Sequence, residues 1–463
     1  MKTPIVAIVG RPNTGKSTLF NKIAGNRIAI TSAEAGTTRD RIFYKVECPE
    51  VDFFLVDTGG LEFGKGNTTI ESDMRSQARV AIDEADLILF IVEGKGDLTV
   101  DDFRVADLLR KTTKKKTVFL IANKCDQSLE DTQLAHLYEL GLGDPVQISA
   151  LNRVGIDILV DQITSQLKDQ HFLVKHSSEY RAAIKQEKNH LNLALVGKPN
   201  VGKSSLINAL LNQDRLIVSE IPGTTRDTTD SLVKNQGKTY NFIDTAGLKK
   251  RGKIEKGIEH FSALRSMMAI ERADIALLVI DSSQPISHQD QQIANYILTA
   301  YKGLIILVNK WDIKEDDEQK EEERRAFFIH KLQKKFSFAP WIPVIFTSAT
   351  EKKNLNMIFE QVEKVNLERK KRIQTRELNT FLSQTTMDHE PSGTKRFPPK
   401  IFYITQATID PPEFVVFVNK KSYFHFSYLR YLENRLREKF GFIGTPIKMD
   451  YREKERRFSG GKK

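Results

Sequence analysis

Three short motifs occur in this chain in one order, and then occur again in the same order. Gly10-Arg11-Pro12-Asn13-Thr14-Gly15-Lys16-Ser17 returns as Gly197-Lys198-Pro199-Asn200-Val201-Gly202-Lys203-Ser204. Asp57-Thr58-Gly59-Gly60 returns as Asp244-Thr245-Ala246-Gly247, and Asn123-Lys124-Cys125-Asp126 as Asn309-Lys310-Trp311-Asp312. The first two recur at an offset of 187 residues and the third at 186. A single motif can be an accident of composition. An ordered set at nearly constant register requires two copies of one nucleotide-binding domain.

Around the motifs, apolar runs over 4–9, 51–56, 87–92 and 117–122 alternate with helical patterns, and the same grammar restarts at 191–196. Buried runs alternating with helices predict an α/β fold, a mostly parallel sheet with helices on both faces, built twice. The expected organisation is a first domain over 1–167, a partly helical linker over 168–190, a second domain over 191–365, a basic hinge over 366–375 and a small α+β unit over 376–451. In that last unit, helices are expected over 378–387 and 427–440, and strands over 400–406, 413–419 and near 446–450. The charge run 314–325 reads as a solvated helix face, and the basic residues 452–463, with Tyr451 leading in, as a disordered tail.

Lys and Arg number 71 against 60 Asp and Glu, a net charge of +11. Residues 369–463 hold 21 of the former and 10 of the latter, so the whole excess lies in the last fifth and the first 368 residues are neutral. Such a localised excess points to phosphate contacts with nucleic acid. No apolar run reaches the roughly 18 residues of a membrane span. The apolar N-terminus runs straight into the first glycine-rich loop and reads as a strand, not a leader. Two cysteines, Cys48 and Cys125, give no disulfide framework and suit a reducing cytoplasm.

Gly-x-x-x-x-Gly-Lys-Ser between a strand and a helix is a phosphate loop. Its N–H groups and the helix N-terminus face the β-phosphate, and Lys16 and Lys203 are placed to reach β- and γ-phosphate oxygens. Ser17 and Ser204 offer hydroxyls to Mg²⁺, and Asp57 and Asp244, each ending a strand, hold the ion through water. Gly59-Gly60 and Ala246-Gly247 form loops whose N–H can sense a γ-phosphate. Asp126 and Asp312 select the base: a carboxylate accepts from guanine N1–H and the 2-amino group, and adenine offers neither donor. Ser149-Ala150 and Ser348-Ala349 follow the last strand of each copy and support the base from its other side. Gly36-Thr-Thr-Arg-Asp40 and Gly223-Thr-Thr-Arg-Asp227 lie between the phosphate loop and the Asp motif, where one threonine of each pair completes the Mg²⁺ shell.

Two such domains in tandem followed by a basic α+β unit resemble the bacterial double-GTPase ribosome-assembly family known as Der or EngA, over nearly the whole chain. The resemblance implies GTP hydrolysis coupled to maturation of the large ribosomal subunit, contacts with its rRNA and proteins, a KH-like third domain, and a cytoplasmic monomer away from the ribosome. It favours Thr38 and Thr225 as the Mg²⁺ threonines. Leu61 and Leu248 stand where many small GTPases place a water-orienting glutamine. In related GTPases the phosphate-loop asparagine holds K⁺, which assigns that role to Asn13 and Asn200. Lys16, Thr38 and Asn13, and Lys203, Thr225 and Asn200, are therefore the expected catalytic sets. A tRNA-modification GTPase is the alternative, but such enzymes carry one GTPase domain and a C-terminal cysteine. Gly441-Phe-Ile-Gly444 spells the clamp of ordinary KH domains, yet it lies between a helix and a strand and reads as a helix cap plus turn. Tyr423, Phe424, Phe426 and Tyr428 are candidate base-stacking residues.

Overall fold

The computed structural model describes residues 3–25, 43–58, 82–112, 116–170, 172, 190–211, 217–219, 230–245, 259–312, 318–391 and 398–453. The chain divides into two compact units, Met1–Asn189 with Lys253–Met268, and His190–Gly252 with Ala269–Lys463.

In the first unit six strands, β1 (Ile5–Val9), β2 (Phe43–Val46), β3 (Phe53–Asp57), β4 (Leu87–Glu93), β5 (Thr117–Asn123) and β6 (Val146–Gln147), lie in the order β2-β3-β1-β4-β5-β6. Only the β2–β3 pair is antiparallel. The strands β1 and β3 are buried at every residue because helices cover both faces of the sheet. Alternate residues Val6, Ile8, Phe53, Leu55, Leu87, Leu89 and Ile91 meet helices α1 (Lys16–Gly25) and α3 (Ile156–Asp169). Their neighbours Ile5, Ala7, Phe54, Val56, Ile88 and Phe90 meet α2 (Val100–Thr112) through Ala106 and Leu109. Each such side chain contributes about 1.5–3 kcal/mol on burial, so one core built from two layers suffices to fix the strand order.

The second unit repeats this plan. The strands β7 (Leu191–Val196), β8 (Ile217–Ser219), β9 (Ser231–Asn235), β10 (Lys238–Ile243), β11 (Ile275–Asp281), β12 (Gly303–Asn309) and β13 (Val344–Phe346) take the order β13-β12-β11-β7-β10-β9-β8, antiparallel only from β10 to β8. Helices α4 (Lys203–Leu211) and α7 (Leu355–Arg369) cover one face, and α5 (His288–Thr299) and α6 (Glu318–Lys335) the other.

In the same unit, α8 (Thr375–Asp388), β14 (Ile401–Ile409), β15 (Pro412–Val418), α9 (Phe426–Phe440) and β16 (Lys448–Glu453) form the small α+β domain. Its strand order is β14-β15-β16, with the last pair parallel. Here the expected start of the tail is corrected for Arg452 and Glu453, which continue the last strand; residues 454–463 lie outside the described residues. Tyr451, Arg452 and Glu453 pair with Val416, Phe417 and Val418. Tyr451 packs against the domain core, while Arg452 and Glu453 are both exposed, and such charged ends are tolerated on an edge strand. The expected hinge is shorter: α7 runs on to Arg369, and buried Gln406 then ties the connection by donating to Lys371 O (2.9 Å) and accepting from Ile373 N–H (2.8 Å).

Gly441–Gly444 is a cap and a docking turn. The Gly441 N–H closes α9 onto Arg437 O (2.8 Å). Gly444 then donates to Trp341 O (3.0 Å) and accepts from Leu304 N–H (2.8 Å), at the start of β12. Its φ of +67° and the Val365 methyl 2.5 Å from any Cβ built there require glycine. Buried Arg437 locks the turn, donating to Phe442 O (3.1 Å) and Thr445 O (2.9 Å), with its guanidinium 4.0 Å from the Trp341 ring centroid. Of the proposed stacking residues, Tyr428 is 5% exposed and its hydroxyl donates to His389 O (3.0 Å), Phe424 packs on the core, Tyr423 is half-buried and Phe426 is exposed. No helix among the described residues is long and apolar enough to cross a membrane.

Candidate nucleotide-binding sites

The phosphate loops join β1 to α1 and β7 to α4. Their lysines curl back over the loop. Lys16 Nζ donates to Gly10 O (2.9 Å) and Arg11 O (2.7 Å), and Lys203 Nζ to Gly197 O (2.7 Å) and to Lys198 O. Both lysines are 5% exposed. Asn13 and Asn200 adopt left-handed φ of +66° and +64° at the exposed crest of each loop.

The base motifs end β5 and β12, and their asparagines clamp the phosphate loops. Asn123 donates to Thr14 O (2.8 Å) and accepts from Ala150 N–H (2.9 Å), and Asn309 donates to Val201 O (3.0 Å). This approach demands Gly15 and Gly202: a Cβ on either would stand 2.3 Å from the asparagine amide nitrogen. Asp126 Oδ1 accepts from Ser149 Oγ–H (2.7 Å) and Asn152 Nδ2–H (2.9 Å). Asp312 Oδ2 accepts from Thr350 Oγ1–H (3.0 Å), while Asp312 Oδ1 is buried with no partner among the described residues. An orphaned buried carboxylate oxygen is costly unless a donor arrives with a ligand. At the variable position Cys125 and Trp311 are both buried; Cys125 fills space beneath Gly94, and burial pushes its thiol pKa up.

Asp57 closes β3 opposite Ile8 and is 3% exposed, and Ser17 is the second residue of α1. Asp244 follows β10 with φ of +56°, its N–H donating to Asp230 (3.0 Å). Thr58 anchors its turn by donating to Ile8 O (2.7 Å), and Thr245 shares a 2.7 Å hydrogen bond with Ser231. Thr38, Gly59, Gly60, Leu61, Thr225, Ala246, Gly247 and Leu248 lie outside the described residues.

Sequence reasoning missed an ionic frame around each site. Arg11 Nε donates to Asp102 (3.1 Å), while its other arm pairs with Glu93 (3.3 Å), which also pairs with Lys124 (2.6 Å). Lys124, with Arg11 behind it, holds the Glu93 carboxyl below its ordinary range. In the second copy Lys198 meets Asp290 (3.1 Å), and Lys310 separately meets Asp281 (2.7 Å). Burial raises the Asp281 pKa, but hydrogen bonds from Lys310 and Ser283 outweigh it and the net shift is downward. Asp102 and Asp290 are 1% and 0% exposed. Each accepts from the N–H and hydroxyl of the residue three before it, Thr99 or Ser287. The signal was in the repeat: Glu93 to Asp281 and Asp102 to Asp290 are both 188 residues apart, close to the 187 of the motifs.

A family model described as 50S ribosome-binding GTPase matches residues 5–124 and 192–310. A second, described as the KH-domain-like C-terminal domain of EngA bacterial GTPase enzymes, matches 372–452. GTPase Der of Thermomicrobium roseum is 44% identical over 98% of this chain and 97% of its own. GTPase Der of Alkaliphilus metalliredigens is 43% identical over 99% of this chain and all of its own. Among solved structures, Aquifex aeolicus Era bound to GDP·AlF4⁻ is 22% identical over 57% of this chain and 92% of its own, with a TM-score of 0.28. With two matched GTPase repeats, a matched C-terminal domain and relatives alike from end to end, the chain belongs to the GTPase Der (EngA) family.

Proposed function

We propose that this chain binds and hydrolyses GTP at two sites and uses their nucleotide states to time its association with the large ribosomal subunit or its precursor in the cytoplasm. Family membership makes it a GTP-binding hydrolase. The observation that carries the guanine reading is the Asp312 carboxylate, with one oxygen fixed by Thr350 and the other buried without a partner among the described residues. Guanine N1–H and the 2-amino group supply the missing donors.

Lys16 and Lys203, already held over their loops, orient the phosphates, and the loop N–H groups stabilise charge as the β–γ bond breaks. Ser17, Asp57 and Thr38, and Ser204, Asp244 and Thr225, would hold Mg²⁺, which neutralises phosphate charge when bound. Asn13 and Asn200 present their side chains at the loop crest, where a K⁺ ion would take over part of the work that Leu61 and Leu248 cannot perform. Nothing in the chain favours the tRNA-modification alternative.

The large-subunit reading rests on the family and on the basic third domain. Co-sedimentation with large-subunit precursors should be strong with a non-hydrolysable GTP analogue and weak with GDP or no nucleotide. Equal sedimentation in all three states would overturn the switch. Truncation after Glu453 removes five cations, Lys454, Arg456, Arg457, Lys462 and Lys463. It should flatten the salt dependence of RNA binding by about 0.7–0.9 for each phosphate that the tail neutralises and leave GTP hydrolysis unchanged.

A further inference from the structure

The second GTPase domain is longer than the first at one place. Asn309 to Ser348 spans 39 residues where Asn123 to Ser149 spans 26. The added length is used by α6, which takes the place of the short turn Asp131–Leu134. The inner face of α6 is fixed. Phe328, Leu332 and Phe336 are buried, Trp311 and Phe346 lie 5.9 and 6.1 Å from the Phe328 ring centroid, and Arg324 sits 4.1 Å over the Trp311 ring. The expectation of a merely solvated charge run is corrected here for Glu321, Arg324 and Arg325, which face this packing: Arg325 pairs with Glu321 (2.7 Å), as does Lys353 (3.1 Å).

The outer face is different. Phe327, Lys331, Lys334, Lys335 and Phe338 stand at i, i+4, i+7, i+8 and i+11, one stripe along a helix and its end. Phe327 is 60% and Phe338 48% exposed, and the three lysines are exposed. The Lys331 ammonium lies 4.2 Å from the Phe327 ring centroid. No Asp or Glu occurs between Glu323 and Glu351, and none of the three lysines has a carboxylate partner among the described residues. Cations at a helix C-terminus complement its dipole, which accounts for the sign of this charge. It does not account for Phe327, 60% exposed among them, or for the exposed side of Phe338, whose other side packs against buried Phe336 (5.9 Å).

We propose that this face of α6 binds single-stranded RNA, with Lys331, Lys334 and Lys335 on phosphates and Phe327 and Phe338 stacked on unpaired bases. Unopposed cations select a polyanion, and aromatic rings interleaved with them select one that carries flat π-faces. Phe327 and Lys335 lie about 12 Å apart along the helix, from the 1.5 Å rise per residue, and Phe338 follows in the turn just beyond, room for more than one nucleotide. This surface belongs to the second GTPase domain, and its Phe338 end lies three residues before Trp341, on which the third domain docks.

The test is fluorescence anisotropy of the full chain with a labelled oligouridylate across a salt series. K331Q/K334Q/K335Q should bind at least about tenfold more weakly at low salt, and its log–log salt slope should flatten by about two, at roughly 0.7 per phosphate on a single strand. F327A should weaken binding about tenfold with the slope unchanged, as expected when a stacked base loses its ring. Unaltered GDP affinity in both variants reports an intact fold. A triple variant with the parent affinity and slope overturns the proposal and assigns RNA to the third domain, leaving the ribosomal reading standing. Loss in the triple variant with none in F327A also overturns it, since charge attraction alone would then explain binding.

Discussion

The two candidate nucleotide sites carry the same motifs but are braced differently. In the first, the forked guanidinium of Arg11 spans Asp102 and Glu93, and Glu93 passes the connection on to Lys124. Phosphate loop and base loop thus share one ionic chain. In the second, Lys198 reaches Asp290 alone, and the shorter Asp281 is taken by Lys310. The frame is cut in two. A planar fork bridges where an ammonium serves one partner at a time. Duplicated motifs preserve the chemistry, and the residues beside them set how firmly its two halves are tied together.

The largest expected effect tests whether both copies read guanine. Asp126→Asn or Asp312→Asn should weaken GTP binding at its own site by several kcal/mol, since each charged hydrogen bond contributes about 1.5–3. Each variant should admit xanthosine triphosphate. Nucleotide titration of the full chain checks this, and unchanged GTP affinity for either variant would remove that copy from the comparison.

Next comes the cation. Hydrolysis should be faster in KCl than in NaCl at equal ionic strength. Asn13→Ala and Asn200→Ala should each abolish the difference in one domain, at a cost of about tenfold, or 1.4 kcal/mol. Equal rates in both salts would leave the leucines without their substitute.

The bracing itself predicts a smaller, asymmetric effect. Arg11→Lys or Glu93→Gln should lower the affinity gained on going from guanosine to GDP at site one by up to about 1 kcal/mol, the scale of partly exposed pairs. Combining them should add little, because they break the same chain. Lys198→Arg should leave site two unaltered. If it strengthens site two as Arg11→Lys weakens site one, the limiting feature is the fork and not the length of Asp281.

The smallest effect is in acid. Glu93 has its pKa lowered in the folded state by Lys124 and Arg11. Its contribution to stability is therefore complete above its unfolded value near 4.5 and is lost as pH falls through the lower folded value. Melting curves from neutrality down to about pH 3, below the unfolded value, should show a slightly smaller acid loss in Glu93→Gln than in the parent. An unchanged acid loss would show that the chain does not stabilise the fold.

The doubled sheet was legible because parallel strands covered on both faces must be apolar at every residue, and runs such as 87–92 stand out. The motifs were legible because phosphate and guanine constrain residue type as well as spacing. The end of β16 was not, since charged Asp450, Arg452 and Glu453 carry no apolar pattern and the strand exists only through its pairing with β15. Asn152 and Thr350, which brace the base carboxylates, sit at different distances from Ser149 and Ser348. No comparison of the two copies would have paired them.

The docking turn at Gly444 fixes where the third domain takes hold of its neighbour. It grips the start of β12, whose far end is Asn309. Arg369 grips the same side, donating to Tyr301 O (3.1 Å) and pairing with Asp410 at the end of α7, a helix that starts six residues after Ala349. Two stiff rods therefore lead from the guanine end of the pocket to the basic domain. In mechanical terms the third domain is mounted on the handle of the lock: a change at the base motif has a short, rigid lever to it, while a change at the phosphate loop reaches the same lever through the clamp of Asn309 on Val201 O.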